Sequence, residues 1–196
     1  MISKPIIAKN NGATVVGIVE TAEDLAQKGC KNTIGCNIGG IVKLKGFEII
    51  FTNAFHSMSS NPSGVIIFYK NKIIYHAGDT GIFGDMKLIG EMYPLDLALL
   101  PVGGHFTMGV KEAQKAIQFL NAKKIIPIHY DTFDLIKQTE KNIKKIKPNK
   151  TDDIRNSGFT VASFSKEMKK RIDEIRLFLN KRMYNHKIVS RSEERR

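Results

Sequence analysis

The apolar positions of this chain change period more than once, and each change marks a new element. Residues 2–9 have a weak helical pattern, and ATVVGIV (13–19) reads as a short buried strand. Thr21 opens TAEDLAQKG, where the threonine can cap a helix, with Asp24 three residues on and Gly29 to stop it. Runs at 41–44 and 47–52 read as strands separated by a Lys45-Gly46 turn. GVIIFYKNKIIYHAG (64–78) then folds back on itself, two β-rich runs joined by Lys70-Asn71-Lys72. After Asp79 the pattern predicts a helix over 84–92, and LDLALLP (95–101) is a continuous apolar run suited to a strand covered on both faces. The glycine-rich VGGHFTMG leads into a helix at 110–120 with Ala113, Ala116, Ile117 and Leu120 on one face. KKIIPIH (123–129) predicts another buried strand, followed by a helix near 133–146. Hairpins first and strand–loop–helix units later imply an α/β sandwich, sheet inside and helices outside.

Past Pro148 the character shifts. GFTVASF (158–164) predicts one last strand, and Met168, Ile172, Ile175, Leu179 and Met183 recur at helical spacing. Residues 184–196 are too polar to pack and are expected to be disordered. The expected organisation is a body over 1–147 and a strand with a basic helical tail over 148–196. No internal repeat is visible.

Composition narrows the class. Apolar content of 42% and charged content of 26% are those of a soluble globular chain. No apolar run approaches the ~18 residues of a membrane span. MISKPIIAKNNG lacks the apolar segment of a signal peptide, so a cytoplasmic protein is expected. Cys30 and Cys36 match neither a zinc ribbon nor a redox pair and are read as reduced structural thiols. Net charge is +12, and residues 166–196 hold eleven Lys/Arg against five Asp/Glu, 11 − 5 = +6. Half the excess is therefore tail, which suits nucleic acid or anionic lipid through non-specific attraction, or simply a solvated basic helix.

Three stretches share one grammar: an apolar strand ending in a metal-capable residue within a loop of small residues. They are IIFTNAFH ending at His56, IIYHAGD ending at Asp79, and IIPIH ending at His129. Strands of one sheet place their ends along one rim, so the three can converge although far apart in sequence. Histidine and carboxylate suit a zinc-like ion. Each alone is more often a packing or turn residue; the joint pattern is what points to a metal.

TNAFHS, YHAGDTGIFGDMKLIGE, DLALLPVGGHFTMG and IIPIHYDTF, in this order, resemble the uncharacterised metal-dependent hydrolase branch of the metallo-β-lactamase superfamily over about residues 1–146. The resemblance implies an αββα sandwich with two divalent metals, zinc first among them, between the sheet edges. It implies that His56 binds the first metal, that Asp79 bridges both, and that His129 binds the second. A metal-acidified hydroxide would then attack an ester, amide or phosphodiester. His76 is assigned to support behind the ligands, and His105 to substrate contact or proton donation, with loop packing as its plainer role. Asp85 is expected to cap the helix after it.

The superfamily's most diagnostic element, H-x-H-x-D-H, does not occur in these 196 residues. The expectation is thus a sandwich that lacks its first strands, with three carried-over ligands, too few for two metal shells. Such a body exposes sheet edge and core face and invites self-association. The alternative to a hydrolase is a non-catalytic remnant that binds or assembles through its basic tail.

Overall fold

The computed structural model describes residues 4–44, 46–57 and 61–146. Residues 3–151 form one compact unit. The strand expected at 158–164 and the tail helix lie outside the described residues.

Helix α1 (Lys4–Asn11) leads into strand β1 (Val15–Ile18), and helix α2 (Val19–Gln27) follows without a break. Strand β2 (Thr33–Cys36) pairs with β1 in parallel. Six further strands make the main sheet: β3 (Ile41–Leu44), β4 (Phe47–Asn53), β5 (Ser63–Tyr69), β6 (Lys72–His76), β7 (Leu97–Pro101) and β8 (Ile125–Ile128), neighbours in that order. Helix α3 (Met86–Met92) follows β6, and α4 (Val110–Leu120) crosses from β7 to β8. Beyond β8 come one 3-10 turn (Asp134–Ile136) and a short helix, α5 (Glu140–Ile143).

Strand direction matters most for function. β3–β4, β4–β5 and β5–β6 are antiparallel, whereas β6–β7 and β7–β8 are parallel. β4, β6, β7 and β8 therefore run the same way, and their carboxyl ends share one rim. The period-2 alternation puts Ile50, Ile66 and Tyr75 on one face, packed with Met86, Ile89, Ala116, Ile117 and Leu120 of α3 and α4. All four residues expected on the inner face of α4 are buried. Burial pushes the Tyr75 phenol up to about 12. The Tyr75 hydroxyl is buried without a hydrogen-bond partner, and the nearby Thr52 hydroxyl donates to Asn53 O at 3.2 Å. A second, smaller cluster joins Ala8, Leu25 and Cys30 with Val15. Neither cysteine is in a disulfide. Cys36 Sγ donates to Gly17 O at 3.3 Å, and burial raises its pKa.

Four local expectations change. Thr21 lies inside α2, because the helix starts directly off β1 at Val19 with Ile18 at its mouth and no side-chain cap; Gly29, at φ 87°, does end it. β2 was not legible, since TIGC carries only one large apolar residue. Asp85 occupies the position before α3, but its side chain makes no capping hydrogen bond. The helix expected over 133–146 is broken in two. Lys137 is extended, Asp131 Oδ1 accepts the Gln138 amide at 2.6 Å, and Thr139 restarts the chain as the cap of α5. Lys72 belongs to β6 and pairs with Tyr69, leaving a two-residue turn with Lys70 at φ 52°.

Candidate active site at the carboxyl-terminal rim

His56, Asp79, His105 and His129 follow the carboxyl ends of β4, β6, β7 and β8, so one rim carries all four. Main-chain hydrogen bonds stitch their loops together. Phe55 N donates to Thr80 Oγ1 at 2.9 Å, and Gly81 N donates to Phe55 O at 2.9 Å. This ties the His56 loop to the residues just after Asp79. Met108 N donates to Thr80 O at 2.9 Å, which brings in the loop of His105. Gln138 Nε2 donates to Gly103 O at 3.1 Å, and a Cβ on Gly103 would collide with His129 O. Only glycine allows that approach. Thr80 is fully buried and takes part in two of these bonds, and its Oγ1 also donates to Gly81 O at 2.7 Å, a role hidden in the sequence behind its neighbour Asp79.

The chain turns sharply at both ligand candidates. Gly78 sits at φ 67°, where a Cβ would lie 2.6 Å from Ser63 O. His129 and Asp131 hold φ 53° and 58°, the left-handed region that costs a side-chain-bearing residue about 1 kcal/mol or more. Such strain is maintained where the surroundings fix the position of a side chain.

Asp79 and His129 are brought together. His129 Nε2 stands 3.6 Å from Asp79 Oδ2, with side chains 29% and 50% exposed. The separation is long for a hydrogen bond. It matches two donors of one cation, because ligands about 2.0–2.2 Å from a tetrahedral zinc-like ion lie roughly 3.4 Å apart. The Nδ1 atoms of His56 and His129 are both buried without a hydrogen-bond partner. A polar nitrogen left so costs about 1–3 kcal/mol, and a bound group that takes the His56 nitrogen relieves the cost there, whereas on His129 the ring atom that faces Asp79 is Nε2. The donors present thus fit a divalent metal. They supply part of a shell: among the described residues no group of three or more His, Cys, Asp or Glu is placed to hold one ion together. His56 shares the rim with the Asp79–His129 pair without completing such a group.

His76 ends β6 with its Nδ1 accepting the Gly78 amide at 3.0 Å, so it braces the turn that presents Asp79. Burial lowers its pKa, and the Asp79 carboxylate partly opposes this. A neutral ring is what that acceptor bond requires. His105 is exposed, its ring edge-on to Phe106 at 4.5 Å between centroids.

Comparison with known proteins agrees with the fold. Residues 4–130 match the family model described as the beta-lactamase superfamily domain. The chain is 48% identical over 141 residues to a UPF0173 metal-dependent hydrolase of Thermofilum pendens, covering 71% of this chain and 61% of the relative. It is 47% identical over 140 residues to its namesake in Korarchaeum cryptofilum, covering 71% and 63%. Among solved structures it is similar to Igni18, a metallo hydrolase of Ignicoccus hospitalis, with TM-score 0.67 and 42% identity over 72% of this chain and 64% of that one. The metallo-beta-lactamase fold protein YhfI of Bacillus subtilis, TM-score 0.56 at 15% identity over 72% and 62%, shares the fold alone. The chain spans about three fifths of the length of the relatives it matches.

Proposed function

The chain belongs to the metallo-β-lactamase superfamily, a lineage of metal-dependent hydrolases, and on that premise we propose that its rim hydrolyses an ester, amide or phosphodiester with the aid of a divalent metal. The observation that carries the reading is the 3.6 Å juxtaposition of Asp79 Oδ2 and His129 Nε2 at the ends of two parallel-running strands. Asp79 and His129 would hold the metal, zinc being the ion their oxygen and nitrogen donors suit best, and His56 would join them from the neighbouring loop. When bound, the metal supplies a hydroxide nucleophile at neutral pH. The protein's own groups do the rest. His76 holds the Asp79 turn through the Gly78 amide. His105, exposed on the adjoining loop, donates a proton to the leaving group or contacts the substrate. A four-coordinate ion needs more donors than this pair, and His56, water or a second copy of the chain would provide them.

Removal of either carrier of the pair tests the proposal. Asp79→Ala and His129→Ala should each lower zinc-dependent hydrolysis of p-nitrophenyl esters at least a hundredfold, whereas deletion of residues 166–196 should leave it unchanged. Activity indifferent to both substitutions would rule out this site. The second reading, binding through the basic tail with its +6, predicts the reverse pattern: nucleic-acid affinity that falls steeply with salt and with tail deletion and ignores Asp79. A cytoplasmic location fits either reading, and no described helix is long and apolar enough to cross a membrane.

A further inference from the structure

Four of the large apolar side chains that remain exposed lie on the rim loops: Phe55 (62%), Phe106 (49%), Phe133 (45%) and Leu135 (59%). Phe106 and Phe133 reach across from the loops after β7 and β8, their ring centroids 6.0 Å apart. His105 stands edge-on to the same Phe106. Phe106 is two residues from Met108, whose amide is bonded to Thr80 next to Asp79, and Phe133 is four residues beyond His129. The ring pair therefore stands on the same linked rim loops as the metal-capable pair. It is also held: Asp131 N donates to Ile136 O at 3.0 Å, which closes the loop that carries Phe133.

Charge points the same way. Across loops 54–62, 77–85, 102–109 and 129–139 the sequence has Asp79, Asp85, Asp131 and Asp134 against Lys137, 1 − 4 = −3, in a chain whose total is +12. Even with a divalent metal bound, 2 − 3 = −1, a rim that is acidic and aromatic on a basic protein does not draw in a polyanion and offers apolar area to a neutral group. Exposed aromatics gathered at one place, as opposed to scattered ones, mark a surface that binds something.

We propose that the rim selects substrates carrying an uncharged aryl or alkyl group, which lies on the Phe106–Phe133 platform beside Asp79 and His129, so that neutral esters or amides are preferred over nucleic-acid phosphodiesters. This deepens the hydrolase reading and rests on it for the reaction, though not for the binding.

Two amides that share a head and differ in a phenyl ring, butanamide and 4-phenylbutanamide, separate the binding from the chemistry. Titrated into the full chain with isotope-labelled phenylalanine, 4-phenylbutanamide should shift the Phe106 and Phe133 ring signals in the NMR spectrum and bind about tenfold tighter than butanamide, the gain from half-covering one phenyl ring. Phe106→Ser or Phe133→Ser should remove most of that advantage, Phe106→Leu should restore part of it, and Phe47→Ser, on the strand end away from the rim, should leave it intact. Equal affinity for the two amides, or an advantage that survives both serine substitutions, overturns the proposal. So do ring shifts that protein concentration alone reproduces, since a second copy would then be the occupant. A phenyl preference in a chain that hydrolyses no p-nitrophenyl ester would sink the hydrolase reading and leave the platform standing.

Discussion

Single residues decide how the rim is held, and most of those residues are silent in the sequence. Asp79 and His129 were legible because each ends an apolar run inside a loop of small residues, a pattern with few structural uses in combination. Thr80 and Gly103 were not, because what they do depends on loops distant in the chain. At the opposite end of the sheet, Asp96 shows a similar economy. Its carboxylate accepts the Ile73 amide at 3.0 Å and meets Lys72 and Lys123 at 3.3 and 3.0 Å, with its side chain 16% exposed. Burial alone would raise its pKa, but the Ile73 amide and the two ammonium groups outweigh that and hold it below the ordinary value. A carboxyl depressed in the folded state stabilises above its unfolded pKa, and that stabilisation is lost as pH falls through the folded one. Asp96→Ala should thus cost about 1–3 kcal/mol at neutral pH by denaturant unfolding. The gap to the parent should narrow on acidification below about pH 4; a gap constant with pH would mean that packing alone is lost.

Elements were read best where the apolar period was strong and local. β4 to β8 follow from short apolar runs bounded by turn residues, and the inner face of α4 from the i, i+3, i+4 spacing that burial on one side dictates. The misses have common causes. α2 takes its start from the strand that feeds it and not from the Thr21 cap, and β2 is held by its parallel partner and not by its own composition. The predicted helix over 133–146 yields to the Asp131–Gln138 bond and the Thr139 cap, which side-chain chemistry supplies at short range. The loop and the strand end are coupled most tightly at Gly103. Gly103→Ala places a methyl against His129 O and 2.9 Å from Ile136 Cβ. It should destabilise the protein by about 1–3 kcal/mol. It should also weaken zinc binding more than an equally destabilising core change such as Leu100→Ala, measured by calorimetric titration. Equal effects would show that the rim responds only to global stability.

At the scale of the whole molecule, one sheet sets four loops along a common rim because four of its strands run one way. The aromatic platform and the metal-capable pair occupy that rim together, while the excess positive charge is concentrated elsewhere in the sequence. On the other face of the sheet Ile49, Phe51, Val65, Ile67 and Ile74 are only partly covered among the described residues. The αββα layout and the lineage could be read from four motifs; the way the loops brace one another could not, because it is written in main-chain hydrogen bonds. The measurement that tests the account most directly is zinc content by plasma mass spectrometry after chelator stripping and dialysis against zinc, made on the full chain, Asp79→Ala, His129→Ala and the tail deletion. About one zinc per chain is expected in the parent and the tail deletion, and near zero in either point variant. Zinc that persists in both point variants, or never exceeds a blank in the parent, would contradict it.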